Sequence, residues 1–391
     1  MVVLLRRRLS AILAISKIVP TRSFSMSSPP SPIKFSFGVI ADVQWADSPD
    51  GFNYAKTAKR CYRGALTTLG NAVDWWMDLP RSPLFVAQLG DIIDGQNHQT
   101  GETEPALRAA LGHLDRLSCP SVNLVGNHEL YNFNREDLAN ASWLKHGDRE
   151  YHSFSPVEGW KVIVLDPYQI SLIGHAADDP RRLEAVRIIE RENPNVHPDG
   201  KSGNWFDGMD DAGERRRFVP YNGGFGEEQL AWFQLQLTAA SEANERVLVC
   251  SHVIIHPKAC GGFTMAWDYK EALDVIRSEG AGGCVSAVLC GHDHRGKYYC
   301  DDFGVHHCTF ISPLNKGDEG FAFGLVHVRP DCMEIRGPKI DDLLPDSVGR
   351  PTPTICEGDS YSGPCESITL PFTERALATN KKVAVEKVAR L

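Results

Sequence analysis

Five short clusters of metal-capable side chains punctuate the sequence: Asp42-Val43-Gln44, Gly90-Asp91-Ile92-Ile93-Asp94-Gly95, Gly126-Asn127-His128-Glu129, Ser251-His252 and Gly291-His292-Asp293-His294. Their donors are carboxylate, amide and imidazole, with no thiolate. That mixture suits Mn²⁺, Fe²⁺ or Zn²⁺, and its oxygen share favours Mn²⁺. Each piece alone carries little weight. A lone Asp after a strand is usually a turn or helix-cap residue, and a lone buried His is more often structural than a ligand. The conjunction of five clusters, each following a predicted strand, points to a metal centre.

Those strands are legible as short apolar runs. Residues 35–41, 84–89, 122–125, 161–165, 246–250 and 284–290 read as strands, with later ones at 296–300, 305–311 and 323–327. Helical periodicity is expected over 55–78, 105–117, 227–240 and 269–278, with Pro105 in a first turn. Strand–helix alternation with polar residues at strand ends predicts an α/β fold whose site lies at the carboxyl edge of a sheet. Glycines before Asp91, Asn127 and His292 allow the turns that aim those side chains over the edge.

The domain plan expected is a leader over 1–32, a folded body over 33–345 and an extra tail over 346–391. The stretch 169–226, rich in Asp, Arg, Gly and Asn, reads as a lid-like insertion. The leader carries Arg6, Arg7, Arg8, Lys17 and Arg22 with no acid, the composition of a transit peptide, and its apolar run is too short to span a bilayer. Either it directs the chain to a mitochondrion or plastid, or a start at Met26 bypasses it and the protein is cytoplasmic.

The 391-residue chain carries 50 acidic and 41 basic residues, so its overall field does not favour nucleic acid. At 42% hydrophobic and 23% charged it is neither disordered nor a multi-span membrane protein. The expectation is a monomer that acts on a small molecule without nucleic acid or membrane. The odd number of cysteines, 11, with no CxxC pair, reads as mostly reduced buried thiols. Cys356 and Cys365, in the tail, are the one pair considered for bridging.

The ordered clusters resemble the calcineurin-like metallophosphoesterase superfamily, whose pattern is DxH, GDxxD, GNH(D/E), a lone H and GHxH. All five blocks match, except that Gln44 stands where the first His is usual. DxQ in that block, with "VAQLGDIIDGQN", "LVGNHELYNF", "RRFVPYNGGFGEEQLAWF" and "GHDHRGKYYCDDFGVHH", is similar to the Mn-dependent ADP-ribose/CDP-alcohol diphosphatases. The resemblance covers most of residues 35–340. It implies a double β-sandwich flanked by helices and a pyrophosphate hydrolase with two divalent ions, preferably Mn²⁺. It implies one ion held by Asp42, Gln44, Asp91 and His294, and another by Asp91, Asn127, His252 and His292. Asp91 can serve both because a carboxylate has two oxygens. Two ions about 3.5–4 Å apart clamp a phosphate between them.

By the same resemblance His128 is catalytic. Asp94 is assigned beside it, orienting His128 or a ligand, and Glu129 is given a similar part. Tyr54, Arg60 and Phe225 are the candidates for holding the nucleotide, by stacking or phosphate contact. Two other readings stand beside this one: a cyclic-nucleotide phosphodiesterase or phosphomonoesterase on the same scaffold, and a non-catalytic scaffold. The intact ligand set argues against the second.

Overall fold

The protein is represented by a computed structural model that describes residues 31–53, 56–144, 150–197, 199, 203–210, 214–261, 263–356 and 365–372. The leader up to residue 30, Tyr54 and the basic stretch from 373 onward lie outside the described residues.

Two sheets dominate. The first has seven strands in the order Thr354–Ile355, Glu366–Pro371, Cys332–Gly337, Phe323–Val328, Phe35–Ile40, Phe85–Gln88 and Ser121–Asn123. The last three run parallel. The second has six strands in the order Arg295–Cys300, His306–Ile311, Val285–Cys290, Arg246–Ser251, Trp160–Leu165 and His152–Phe154, the middle four parallel.

Alternation along each strand explains how the sheets stack. Phe35, Phe37 and Val39 of the first sheet share one core with Trp160, Val162 and Val164 of the second. The opposite faces are covered by helices. Ile40 and Val86 pack with Leu69, Val73 and Trp76 of helix Tyr62–Met77 and with Leu107 and Ala110 of helix Thr103–Leu114. Ile163, Leu165, Val247 and Val249 pack with Phe233 and Leu237 of helix Gly226–Glu242 and with Leu273 and Ile276 of helix Tyr269–Arg277. The result is the expected helix–sheet–sheet–helix sandwich.

Two expectations need correction, and the insertion 169–226 gains an internal element. Helix 55–78 begins only at Tyr62. Before it, Gly51–Phe52 pairs with Lys59–Arg60 in a small hairpin. The Asn53 side chain stops a helix there by accepting the N–H groups of Thr57 and Ala58. The insertion 169–226 contains a helix, Pro180–Glu192, started by Asp179, whose side chain accepts from Arg181 N, with proline in the first turn.

The second correction concerns the tail, since the sheet does not end at 345. Glu366–Pro371 pairs along its whole length with Cys332–Gly337, and Ile368, Leu370 and Phe372 enter the central core. The polar, Pro-rich composition of the tail masked this period-two pattern. Leu370→Ala should therefore lower stability by about 2–5 kcal/mol, the usual cost of emptying a buried leucine site. Urea unfolding would measure it; a loss below about 0.5 kcal/mol would place the strand outside the fold. No disulfide occurs among the described residues, and the Cys356 and Cys365 sulfurs lie 3.0 Å apart as thiols.

Among the described residues no helix is long and apolar enough to cross a membrane.

Candidate metal centre

Parallel pairing puts like ends of neighbouring strands side by side, and all five clusters leave the sheets at these ends. Within the first sheet Asp42 N donates to Gly90 O at 3.0 Å; within the second, Gly291 N donates to His252 O at 3.1 Å. The two sheets are joined where His292 N donates to the Asp42 carboxylate, at 2.8 and 3.0 Å to its two oxygens. The turns are tight: Asp42, Gln44, Asp91 and His292 all hold positive φ, between 45° and 67°. Such backbone is strained for residues with a side chain and clusters at functional sites. Gly90 has φ 100°, and a Cβ there would strike the His252 ring; a Cβ on Gly126 would strike the Asp91 carboxylate.

The side chains converge. His252 Nε2 stands 3.3 Å from Asp91 Oδ2 and 4.0 Å from Asp42 Oδ1. His294 Nε2 stands 3.6 Å from Asp42 Oδ1, and Gln44 Nε2 lies 2.8 Å from Asp91 Oδ2 and 2.9 Å from His294 Nε2. Ligand atoms of Asp91, His252 and His292 all fall within 4.8 Å of one another. His252 donates from Nδ1 to Leu89 O at 2.7 Å, while its Nε2 is buried without a hydrogen-bond partner. A buried imidazole nitrogen facing two carboxylates, in a set of N and O donors, fits a divalent ion once the nitrogen is deprotonated.

Electrostatics agree. Burial and the neighbouring Asp91 push the Asp42 carboxyl up to about 8, despite His252 nearby. Burial alone would lower His252, but Asp91 and Asp42 raise it to about 10. Burial would raise Asp91, yet the His252 charge beside it holds it well below the usual carboxylate range. Asp42 and His252 must lose protons to act as ligands, so ion uptake releases protons. Affinity for Mn²⁺ is expected to rise as pH climbs from 6 through 8 and onward. Calorimetry in buffers of different ionisation enthalpy would read the released protons; affinity flat over that range would contradict the assignment.

Supporting groups fix the ligands. Glu129 accepts from Asp91 N, Gly126 N and Ile92 N at 2.7, 2.7 and 2.8 Å. Burial and Asp91 push its carboxyl up to about 7, against the pull of those N–H groups. Two partners had no local sequence signal. Tyr168 donates its hydroxyl to Asn127 Oδ1 at 3.2 Å, and Asn222 Oδ1 lies 2.7 Å from His292 Nε2. Both come from remote segments that only the fold brings in.

The other predicted residues divide. His128 is close: its N–H donates to Asp91 Oδ1 at 2.8 Å, and its Nδ1 accepts from Gly95 N at 2.7 Å. Asp94 Oδ2 lies 3.4 Å from that Nδ1, and Asp94 Oδ1 accepts from Gln96 N. Asp94 thus shapes the turn that seats His128 and is a positioning residue. Arg60 reaches the centre, donating from Nη1 to Gln44 Oε1 at 2.9 Å, although it arrives on a hairpin rather than a helix. Phe225 is corrected: it is 1% exposed in the core beside helix Gly226–Glu242, where no nucleotide can stack on it. Tyr54 lies outside the described residues.

Gln44 is placed with its amide nitrogen toward Asp91 and His294 and its oxygen toward Arg60. Ligation through Oε1 therefore requires the amide to turn and Arg60 to give up its acceptor.

The calcineurin-like phosphoesterase family pattern matches residues 35–296. A dimetal phosphatase from Danio rerio is 31% identical, with a TM-score of 0.73 over 88% of this chain and 100% of that one. Proteins named manganese-dependent ADP-ribose/CDP-alcohol diphosphatase are similar along most of their length. The one from Xenopus tropicalis is 37% identical over 78% of this chain and 91% of its own. That from Homo sapiens is 37% identical over 78% and 90%, and that from Arabidopsis thaliana 35% over 78% and 94%. With its five clusters gathered on one edge of a two-sheet sandwich, the chain belongs to the calcineurin-like phosphoesterase family, among the manganese-dependent ADP-ribose/CDP-alcohol diphosphatases.

Proposed function

We propose that the chain hydrolyses the pyrophosphate bond of ADP-ribose and of CDP-alcohols such as CDP-choline and CDP-glycerol. The products are a nucleoside monophosphate and a phosphorylated sugar or alcohol. The observation that carries this reading is the buried, unpartnered His252 Nε2 facing the Asp91 and Asp42 carboxylates, in a chain similar over most of its length to enzymes of that name.

Asp42, Gln44, Asp91 and His294 would hold one divalent ion, and Asp91, Asn127, His252 and His292 the other. When bound, the ions supply Lewis-acid polarisation of the phosphoryl oxygens and an acidified water. The remaining work falls to the chain. His128 accepts at Nδ1 from Gly95, so its neutral ring carries the proton on Nε2. That N–H would donate to a phosphoryl oxygen of the substrate. Arg60, beside Gln44, supplies a cation for the second phosphate.

The test is product release from ADP-ribose, CDP-choline, CDP-glycerol, a 2′,3′-cyclic nucleotide and a phosphomonoester, each with Mn²⁺ and with Mg²⁺. Expected is fastest turnover of a diphosphate substrate with Mn²⁺. Preference for the cyclic nucleotide or the monoester would overturn the reading.

A further inference from the structure

We propose that Asn222 is a positioning residue that selects which nitrogen of His292 faces the metal centre, and so ties the inserted segment 169–226 to ion binding. The inference rests on the reading of His292 as a ligand.

The argument starts from the Asn222 amide. Its side chain is fully buried, and its Nδ2 donates to Arg217 O at 2.8 Å and to Phe263 O at 2.6 Å. Reversing the amide would aim its oxygen at two carbonyl oxygens, so the orientation is fixed by chemistry. Oδ1 is then the atom 2.7 Å from His292 Nε2. An amide oxygen only accepts, so the proton of a neutral His292 ring sits on Nε2 and the lone pair on Nδ1. A metal-bound histidine needs this arrangement: one nitrogen donating to an acceptor, the other free to ligate.

A second link runs beside the first. Tyr168 OH lies 3.2 Å from Asn127 Oδ1 and 3.2 Å from Tyr221 O. The Tyr221 ring packs on His292 at 5.8 Å between centroids. Residues 221 and 222 therefore reach two groups assigned to the same ion, Asn127 through Tyr168 and His292 directly. Arg217, whose carbonyl accepts from Asn222, also donates from Nε to Trp267 O. The contact thus continues into the body of the insertion, where Phe218 and Trp267 share a small core with Leu172, Ala185, Ile189 and Val196. Ordering the centre should order this segment, and by reciprocity loosening the segment should weaken one ion.

The experiment compares the full chain with Asn222→Ala and His292→Ala. Mn²⁺ binding is followed by the signal of free Mn²⁺, and the His292 tautomer by imidazole ¹⁵N shifts in the metal-free protein. Hydrogen exchange of residues 214–226 is measured with and without Mn²⁺. Asn222→Ala should weaken one ion by roughly 10–100-fold, the usual effect of removing a ligand's hydrogen-bond partner, and leave the other unchanged. It should also mix the His292 tautomers and reduce the protection that Mn²⁺ confers on 214–226. A variant with both ions unchanged, both weakened equally, or the His292 shifts unmoved would overturn the proposal. His292→Ala separates the two readings: if it leaves both ions bound, the assignment of the centre itself fails. If it loses an ion while Asn222→Ala does not, only the positioning role fails.

Discussion

Asp91→Ala should abolish hydrolysis and remove both ions together. The Asp91 carboxylate faces groups assigned to both ions. Asp91 Oδ2 meets Gln44 Nε2 and faces His252 Nε2, while Oδ1 accepts from the backbone of His128. An ion on either side of this carboxylate loses a charged ligand in the variant, and its loss leaves the His252 charge without the partner that raises it. Metal catalysis contributes several kcal/mol, and each 1.36 kcal/mol is a factor of ten in rate. Turnover should therefore fall by about a thousandfold or more. The fold should survive, since the substitution removes a buried charge that raises both Asp42 and Glu129. Metal analysis of the folded variant gives the decisive count: two tightly held ions would show that Asp91 does not bridge.

How much of this was legible in the sequence depended on whether a signal was local. The strands were, because a buried strand is a short apolar run: Phe35–Ile40, Val285–Cys290 and their neighbours lie within a residue or two of expectation. The centre was too, because each ligand follows such a strand within a few residues. Arg60 was found for a partly wrong reason, since the periodicity that placed it on a helix is broken by the Asn53 turn. Phe225 was a stacking candidate because it borders the lid-like stretch 169–226, yet its ring fills the core under helix Gly226–Glu242. Tyr168 and Asn222 could not be found at all. Their partners, Asn127 and His292, are 41 and 70 residues away, and no spacing rule connects them. Glu366–Pro371 was missed for the opposite reason: its alternation is visible, but its polar, Pro-rich surroundings outweighed it.

The second large effect is expected at His128, and it separates chemistry from ion binding. The ring is not placed among the ligands: Nδ1 is engaged by Gly95 N–H, which leaves a donor at Nε2, and the side chain is 15% exposed, open to a substrate. The Tyr131 ring packs edge-on against it at 5.2 Å and Gly95 fixes its tilt, so the donor is held in place before substrate arrives. His128→Ala should therefore keep both ions and lose kcat by about 10²–10³-fold, the range for removing one preorganised donor to transition-state charge. KM should move little, because the loss falls on the transition state. Asp94→Asn, which disturbs only the turn beside the ring, should cost less. The nature of the help can be read from the leaving group. A proton donor matters when a poor leaving group such as an alkoxide must depart, and matters little for a nitrophenolate or for the phosphate monoester that leaves a diphosphate. With Nδ1 occupied by Gly95 N–H, the neutral ring cannot give up its Nε2 proton without becoming an imidazolate. His128 is therefore expected to stabilise phosphoryl charge, with an equal His128→Ala deficit on ADP-ribose, a p-nitrophenyl phosphodiester and an alkyl phosphodiester. A deficit far larger on the alkyl phosphodiester would make His128 a proton donor instead, and near-normal turnover on all three would make it a structural residue whose work ends at the Gly95 bond.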